Sequence, residues 1–131
     1  MSENAKRVSP FTDELGVQLT TMEGGVARMY LDIARRHLNS GGVVHGGVLM
    51  ALADCVAGAA AFSVLEAGKA AVTTDAHVTC LRGVGSGRIE AEAEVLHRGG
   101  RFLHVRLSER VEGRLIASGS ISFMVVEARG H

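Results

Sequence analysis

Alternating apolar and polar residues fill the chain on either side of residues 39–62. Alternation with a period of two is typical of β-strands that bury one face. The first two alternating stretches, Leu15–Thr20 and Val26–Ile33, flank the turn Glu23-Gly24-Gly25 and predict a hairpin. Before them, Pro10–Leu15 can form one helical turn, because proline suits the first position of a helix.

The alternation resumes from Val72 to Val126, interrupted by glycine-containing turns at Gly83–Gly87, Gly99–Gly100 and Glu112–Gly113. Ile89–Val95 is its most regular part. We interpret the order as two strands, one long helix and three strands, which makes five strands in all. One antiparallel sheet with one helix is an α+β fold. The 131 residues suit a single domain over 1–131, with 1–9 expected to be flexible.

The stretch Asn39–Phe62, NSGGVVHGGVLMALADCVAGAAAF, is rich in glycine at its start and in small apolar residues afterwards. Apolar residues lie on all sides of the predicted helix, so the helix is enclosed by protein or by a membrane. About half the positions are the weakly hydrophobic Ala or Gly, a carboxylate, Asp54, lies in the middle, and no Lys/Arg cluster flanks the stretch. We therefore predict a core helix whose outer side is covered by a second copy of the chain.

Charge and cysteine content narrow the class of protein. Fourteen basic and fourteen acidic residues balance, which argues against nucleic acid as a partner. Cys55 and Cys80 lie in apolar surroundings and predict two buried thiols in a reducing compartment. The first residues lack the apolar core of a signal peptide, so the cytoplasm is the expected location.

Three features of the central stretch form a spaced motif: Asn39, then His45-Gly46-Gly47, then Asp54. The pattern N-x5-H-G-G-x6-D resembles the signature of the hotdog-fold acyl-CoA thioesterases, in particular the PaaI-like branch named for phenylacetic acid degradation. The resemblance extends from about Phe11 to Val126 and includes Thr73-Thr74-Asp75, Leu81-Arg82, His97-Arg98-Gly99, Gly113-Arg114-Leu115 and Ala117-x-Gly119. It departs from the branch at Arg82-Gly83, where Arg-Pro is frequent.

The resemblance implies five antiparallel strands curved around the central helix, and a homodimer whose sheets join edge to edge and whose active sites are shared. It implies a homotetramer of two such dimers. It also implies hydrolysis of acyl-CoA thioesters without a metal or an organic cofactor. The composition of the central helix and the balanced charge, as argued above, predict neither a membrane nor a nucleic acid as partner.

Thioester hydrolysis needs a donor for the tetrahedral oxyanion and a carboxylate that acts as nucleophile or as general base. The backbone N–H of Gly46, at the start of the helix, is the predicted donor, and Asp54 is the predicted carboxylate. The two residues are eight positions apart on one helix, about 12 Å along its axis. They cannot both reach one carbonyl carbon, so each site is predicted to take Asp54 from the second chain.

Other residues receive roles from the resemblance. Asn39 and His45 help to bind and orient the thioester, and Thr73, with Thr74 as the adjacent alternative, helps to place the attacking water. Gly47 is a substrate-binding candidate. Arg82, Arg98 and Arg101 are candidates for the CoA phosphates, although each is equally well explained as a surface charge.

Several alternatives accompany this interpretation. Asp54 can be a carboxylate that is only capped by a backbone N–H, and His45 can be a helix cap. No pair of histidines has zinc-ligand spacing, Cys55 lacks an evident base, and no Gly-Lys-Ser/Thr completes a nucleotide loop. A hotdog-fold hydratase or dehydratase and a non-catalytic acyl-CoA binder are the rival functions. Aryl, phenylacetyl and medium-chain acyl groups all suit the apolar walls.

Overall fold

The computed structural model describes residues 9–129, so the expectation of a flexible N-terminus concerns residues that lie almost entirely outside it. A short 3₁₀ turn at Arg35–His37 precedes the long helix. The helices and strands are α1 Pro10–Leu15, β1 Val17–Glu23, β2 Val26–Asp32, α2 Gly46–Phe62, β3 Lys69–Cys80, β4 Arg88–Arg98, β5 Phe102–Val111 and β6 Arg114–Glu127.

All six strands form one antiparallel sheet in the order β1-β2-β4-β5-β6-β3. The fold is α+β with the hotdog arrangement, but the predicted count of five strands is wrong. Three turns separate four strands after α2, because the Glu112–Gly113 turn divides β5 from β6 and each is a full-length strand. The two ends of the sheet are β1 and β3.

The hydrophobic core lies between α2 and the inner face of the sheet. Leu52, Ala53, Val56 and Ala57 of the helix are completely buried. Opposite them lie alternate residues of the strands, which confirms the period-two pattern: Ala27, Leu31, Ile89, Ala91, Ala93, Leu103, Val105, Ile121 and Phe123. Small side chains on both sides allow the sheet to approach the helix closely.

One side of this core is uncovered in the single chain. On α2, Met50 is 51% exposed and Phe62 44%, and on β3 Val72 is 46% exposed. Within residues 9–129, β3 pairs only with β6, so its other edge has free N–H and C=O groups. A long exposed edge strand beside an exposed apolar face is typical of a surface that binds another chain.

Two further observations concern the sequence predictions. Cys80 is exposed and Cys55 is only partly buried, so the prediction of two buried thiols is wrong for the single chain. Cys80 lies at the end of β3, where exposure depends on what covers that edge.

None of the helices in residues 9–129 has the length and hydrophobicity that crossing a membrane requires.

Candidate active site

Asn39 shapes the loop that leads into α2. Its side-chain oxygen accepts hydrogen bonds from the backbone N–H groups of Gly41 at 2.9 Å and Val43 at 3.3 Å. Its own backbone N–H donates to the carbonyl of Val43 at 2.7 Å. Side-chain bonds to nearby backbone amides are how asparagine fixes tight turns. The structure thus gives Asn39 a direct part in holding the loop that carries the next residues.

His45 is the N-cap of α2, with extended backbone angles of φ −60° and ψ 135°. Its Nδ1 accepts a 2.8 Å hydrogen bond from the backbone N–H of Gly47. A nitrogen that accepts carries no proton, so in the neutral ring the proton is on Nε2. His45 is exposed. It is therefore a helix cap that also presents an N–H donor beside the start of the helix.

Gly46 is the first residue of α2. Its backbone N–H has no hydrogen-bond partner among residues 9–129, whereas that of Gly47 is taken by His45. Apart from its chain neighbours, a Cβ at Gly46 would meet nothing within 4 Å, so there is space on the Cα side of this residue. The N-terminal N–H groups of a helix lack intrahelical partners and favour negative charge. This amide can donate a hydrogen bond to an oxyanion.

Asp54 lies midway along α2 and is exposed in the single chain, although its neighbours along the helix are apolar. One of its carboxylate oxygens accepts a 2.7 Å hydrogen bond from the Thr73 hydroxyl. The adjacent Thr74 hydroxyl instead donates to the carbonyl of Ser122 at 3.1 Å. The pairing of β3 with β6 shifts between Thr73 and Asp75, so a bulge at Thr74 lets Thr73 point toward the helix. Between the two threonines, the structure associates Thr73 with Asp54.

The open amide of Gly46 and the carboxylate of Asp54 belong to one uninterrupted helix. Eight residues correspond to about 12 Å along the axis. Met50 lies four residues from each, on the same broad face of α2, and is 51% exposed. A single chain therefore does not bring the Gly46 amide and the Asp54 carboxylate together.

Arg82 lies two residues after the end of β3, at the end of the fold where α2 begins. The two loops are joined by a 2.8 Å hydrogen bond from the N–H of Val44 to the carbonyl of Val84. Arg82 lines a cleft of about 610 Å³ together with Arg114 and Glu112. Sequence reasoning did not propose Arg114 as a phosphate ligand, since it belongs to an ordinary turn-and-strand pattern.

Arg98 and Arg101 lie at the opposite end, where α2 finishes. The Arg98 guanidinium donates to the carbonyl of Val64 and lies 3.9 Å from the carboxylate of Glu66. Both arginines line a cleft of about 440 Å³ there. The structure thus separates the three predicted phosphate ligands into two places, and it gives Arg98 a structural partner.

Within residues 9–129, no group of three His, Cys, Asp or Glu side chains is placed so that it could hold a metal ion. His37 is buried, its Nδ1 accepts from the N–H of Ala34 at 2.9 Å, and its Nε2 is 2.8 Å from the carbonyl of Leu15. Its own carbonyl accepts the N–H of His45 at 2.8 Å. His37 supports the loop ahead of the helix.

Sequence reasoning missed Glu109, which is completely buried on β5. Burial raises its pKa from 4.5 to about 8. The signal was present, because the alternation of Leu103, Val105 and Leu107 places the next odd-numbered residue on the same inward face.

Comparison with known proteins finds relatives over most of the chain. The model of the thioesterase superfamily matches residues 41–117. Rv1847 of Mycobacterium tuberculosis, whose name assigns esterase activity only provisionally, is 35% identical over 92% of this chain and 89% of its own. The proofreading thioesterase EntH of Klebsiella pneumoniae is 30% identical over 73% of this chain and 70% of its own. A mutant of the phenylacetic acid degradation protein PaaI from Thermus thermophilus has a TM-score of 0.82 at 28% identity, covering 88% of this chain and 98% of that one.

Proposed function

Because the chain belongs to the thioesterase superfamily, we propose that it hydrolyses acyl-CoA thioesters to a free acid and CoA. The observation that supports this best is the pairing of Thr73 with Asp54 on the exposed face of a helix whose first amide, Gly46, is open. These are the carboxylate and the oxyanion donor that the reaction requires.

The proposed reaction begins when the thioester oxygen lies at the Gly46 N–H, with the Nε2–H of His45 beside it. With Asp54 as general base, the carboxylate takes a proton from water as the water oxygen attacks the carbonyl carbon. The oxyanion collapses, the C–S bond breaks, and the proton on Asp54 passes to the CoA thiolate. With Asp54 as nucleophile, its oxygen attacks the carbon itself, and the C–S bond breaks to leave an anhydride and the CoA thiolate. Water then hydrolyses the anhydride to the free acid and the Asp54 carboxylate, and the proton released in this step passes to the thiolate.

The two halves of the site come together if two chains pair through α2 and β3. For Gly46 of one chain to meet Asp54 of the other, the helices must lie antiparallel and cross near Met50, midway between them. The exposure of Met50 and the free edge of β3 support this arrangement. A homotetramer of two such dimers, which the resemblance implies, and a cytoplasmic location, which the sequence leads us to expect, complete the proposal. Arg82 is its preferred ligand for the CoA phosphates.

A thiol-release assay tests the function. Purified protein is incubated with aryl-, phenylacetyl- and medium-chain acyl-CoA thioesters, and free thiol is measured beside Asp54→Asn as the matched control. We expect turnover with at least one class and loss of nearly all of it in the variant, because an amide is neither a base nor a nucleophile. A hydratase would alter the acyl chain without releasing thiol, and a binder would show affinity without turnover.

A further inference from the structure

His37 is a buried residue on the approach to α2, and the proposed reaction does not use its side chain. The residue is 2% exposed, and both ring nitrogens have partners. Nδ1 accepts the N–H of Ala34 at 2.9 Å, and Nε2 lies 2.8 Å from the carbonyl of Leu15. In the neutral ring the proton is therefore on Nε2, which donates to that carbonyl. A buried ring with both nitrogens bonded is held in one orientation, so it can serve as an anchor.

The segment His37–His45 is a small hairpin-like loop that carries the start of α2. Two backbone hydrogen bonds close it. The N–H of His45 donates to the carbonyl of His37 at 2.8 Å, and the N–H of Asn39 donates to the carbonyl of Val43 at 2.7 Å. His37 and His45 are thus the paired ends of the loop. A shift of His37 moves the residue from which α2 begins.

The direction of the Gly46 N–H depends on His45. The peptide unit that joins the two residues is planar, so the carbonyl of His45 and the N–H of Gly46 turn together. That carbonyl accepts the N–H of Val48 at 2.9 Å inside the helix, and the N–H of His45 is held by the carbonyl of His37. An oxyanion donor is effective because it is held in place before charge develops on the substrate. His37 supplies the hold on the side that faces away from α2.

The ring of His37 joins this loop to a distant part of the chain. Leu15, whose carbonyl accepts from Nε2, is the last residue of α1 and lies 22 positions earlier. Arg36 also donates to this carbonyl, but at 3.4 Å and from an exposed side chain. The shorter bond to the buried ring is the stronger of the two. His37 thus attaches the base of the loop to the end of α1.

We propose that His37 is a positioning residue for the oxyanion donor: its ring fixes the base of the loop, and its backbone carbonyl carries that position to His45 and the amide of Gly46. The inference rests on the proposed function, since it concerns the donor of that reaction. Without the ring bonds, the His37 carbonyl can shift and the amide shifts with it. A displacement of about 1 Å in a catalytic group can lower the rate by roughly a hundredfold.

Steady-state thiol release tests the proposal with a matched control. His37→Leu removes both ring bonds, and we expect kcat to fall roughly tenfold to a hundredfold while KM changes less than about threefold. Arg36→Ala removes a bond to the same Leu15 carbonyl from the exposed side, and it should keep kcat within about twofold of the parent. A kcat for His37→Leu as high as that of Arg36→Ala would overturn the proposal.

Two conservative variants identify the ring bond that matters. His37→Gln places an amide N–H near the position of Nε2, and His37→Asn places an oxygen near the position of Nδ1. The bond to Ala34 has a companion, because the backbone N–H of His37 donates to the Ala34 carbonyl at 2.9 Å. We therefore expect His37→Gln, which can still bind Leu15, to retain more kcat than His37→Asn. A more active asparagine variant would mean that the bond to Leu15 is not the anchor.

A double-mutant cycle separates positioning from a general loss of structure. Gly46→Pro has no amide N–H to position, so adding His37→Leu should lower its kcat by less than about threefold. In Thr73→Val the same addition should keep its full effect, because Thr73 acts on Asp54 and no hydrogen bond of His37 within residues 9–129 reaches either residue. A full effect in both backgrounds would mean that His37 supports the fold as a whole, which would overturn the proposal.

Hydrogen exchange followed by NMR tests the same link without a substrate. The amides of His45 and Gly47 should exchange at least about tenfold faster in His37→Leu than in the parent, while the amides of β5 exchange alike. Unchanged exchange at His45 and Gly47 would overturn the proposal. His37→Asn serves for this comparison if the leucine variant does not fold. A parent that releases no thiol from any thioester would refute the proposed function, and the exchange rates would still show whether His37 holds the start of α2.

Discussion

The hydroxyl of Thr73 donates a 2.7 Å hydrogen bond to a carboxylate oxygen of Asp54, joining β3 to the middle of α2. The bond fixes the direction of the carboxylate and leaves its second oxygen available. Because Thr74 is turned to Ser122 by the bulge, the two neighbouring threonines offer a variant and its matched control.

We expect Thr73→Val to lower kcat for acyl-CoA hydrolysis by roughly tenfold to a hundredfold, since the shape is kept and the hydroxyl that orients the carboxylate is lost. Thr74→Val should change kcat less than threefold, although it removes a bond of its own. The measurement is steady-state thiol release with both variants checked for an unchanged melting temperature. An equal loss of kcat in the two variants would show that Thr73 has no specific role in the reaction.

The open amide of Gly46 can be deleted without removing a side chain. Gly46 is the first residue of α2, where proline is favoured, and the ψ of 135° at His45 suits a residue that precedes proline. Gly46→Pro should therefore fold and lose about 10²–10³ in kcat, the usual effect of one missing oxyanion donor.

Gly46→Ala is the control for added bulk, because it keeps the N–H and its Cβ meets nothing within 4 Å. Its kcat should stay well above that of the proline variant. Similar rates for the two variants, or a proline variant as active as the parent, would show that this amide does not bind the oxyanion.

A truncated substrate distinguishes which of Arg82, Arg98 and Arg101 binds the CoA phosphates. Arg82→Ala should raise KM for acyl-CoA roughly tenfold, the loss of about one charged hydrogen bond to phosphate. It should barely affect a short pantetheine thioester, which lacks the nucleotide. Arg98→Ala is expected to have a small effect on both substrates, since its guanidinium is already held by the carbonyl of Val64 and lies near the carboxylate of Glu66. Arg101→Ala, in the same cleft as Arg98, is expected to have a similarly small effect. A KM that rises equally for both substrates would mean that Arg82 supports the structure and does not bind the phosphates of the nucleotide.

The sequence predicted the helices and the direction of most strand residues, because these follow from local periodicity. The role of Thr73 was expected from the family resemblance alone. The sequence did not predict the pairing order β1-β2-β4-β5-β6-β3, since a period of two identifies a buried face but not a neighbour. The sequence did not predict the exposure of Cys80 for the same reason. The burial of a residue on an edge strand depends on whether a partner covers that edge, and the sequence pattern does not identify the edge strand. The burial of Glu109 was not predicted, because glutamate is usually found at the surface, although the position of Glu109 in the alternating pattern indicated the core.

Met50 provides a direct test of how two chains pair. If the helices cross antiparallel midway between Gly46 and Asp54, the two Met50 side chains of a dimer are adjacent. Met50→Cys in a background with Cys55→Ala and Cys80→Ser should then form an intersubunit disulfide under mild oxidation, detected as a dimer on a non-reducing gel. Ser40→Cys, in the exposed loop ahead of the helix, is the control that should remain monomeric on that gel.

The shared site makes a quantitative prediction for mixed dimers. One chain carries Asp54→Asn and the other carries Gly46→Pro, and each alone should be nearly inactive. In a mixed dimer of antiparallel helices, one site receives both defects and the other receives neither. Random pairing makes about half of the dimers mixed, so co-expression should restore roughly a quarter of the parental activity.

Differently tagged chains allow the mixed dimers to be purified by two affinity steps, after which the restored activity should be about half that of the parent. A mixture of the two separately purified variants, assayed before subunits exchange, is the control and should stay inactive. Purified mixed dimers without activity would mean that Gly46 and Asp54 do not complement each other across the two chains. The carboxylate would then act at a site within its own chain, where about 12 Å separates it from the Gly46 amide.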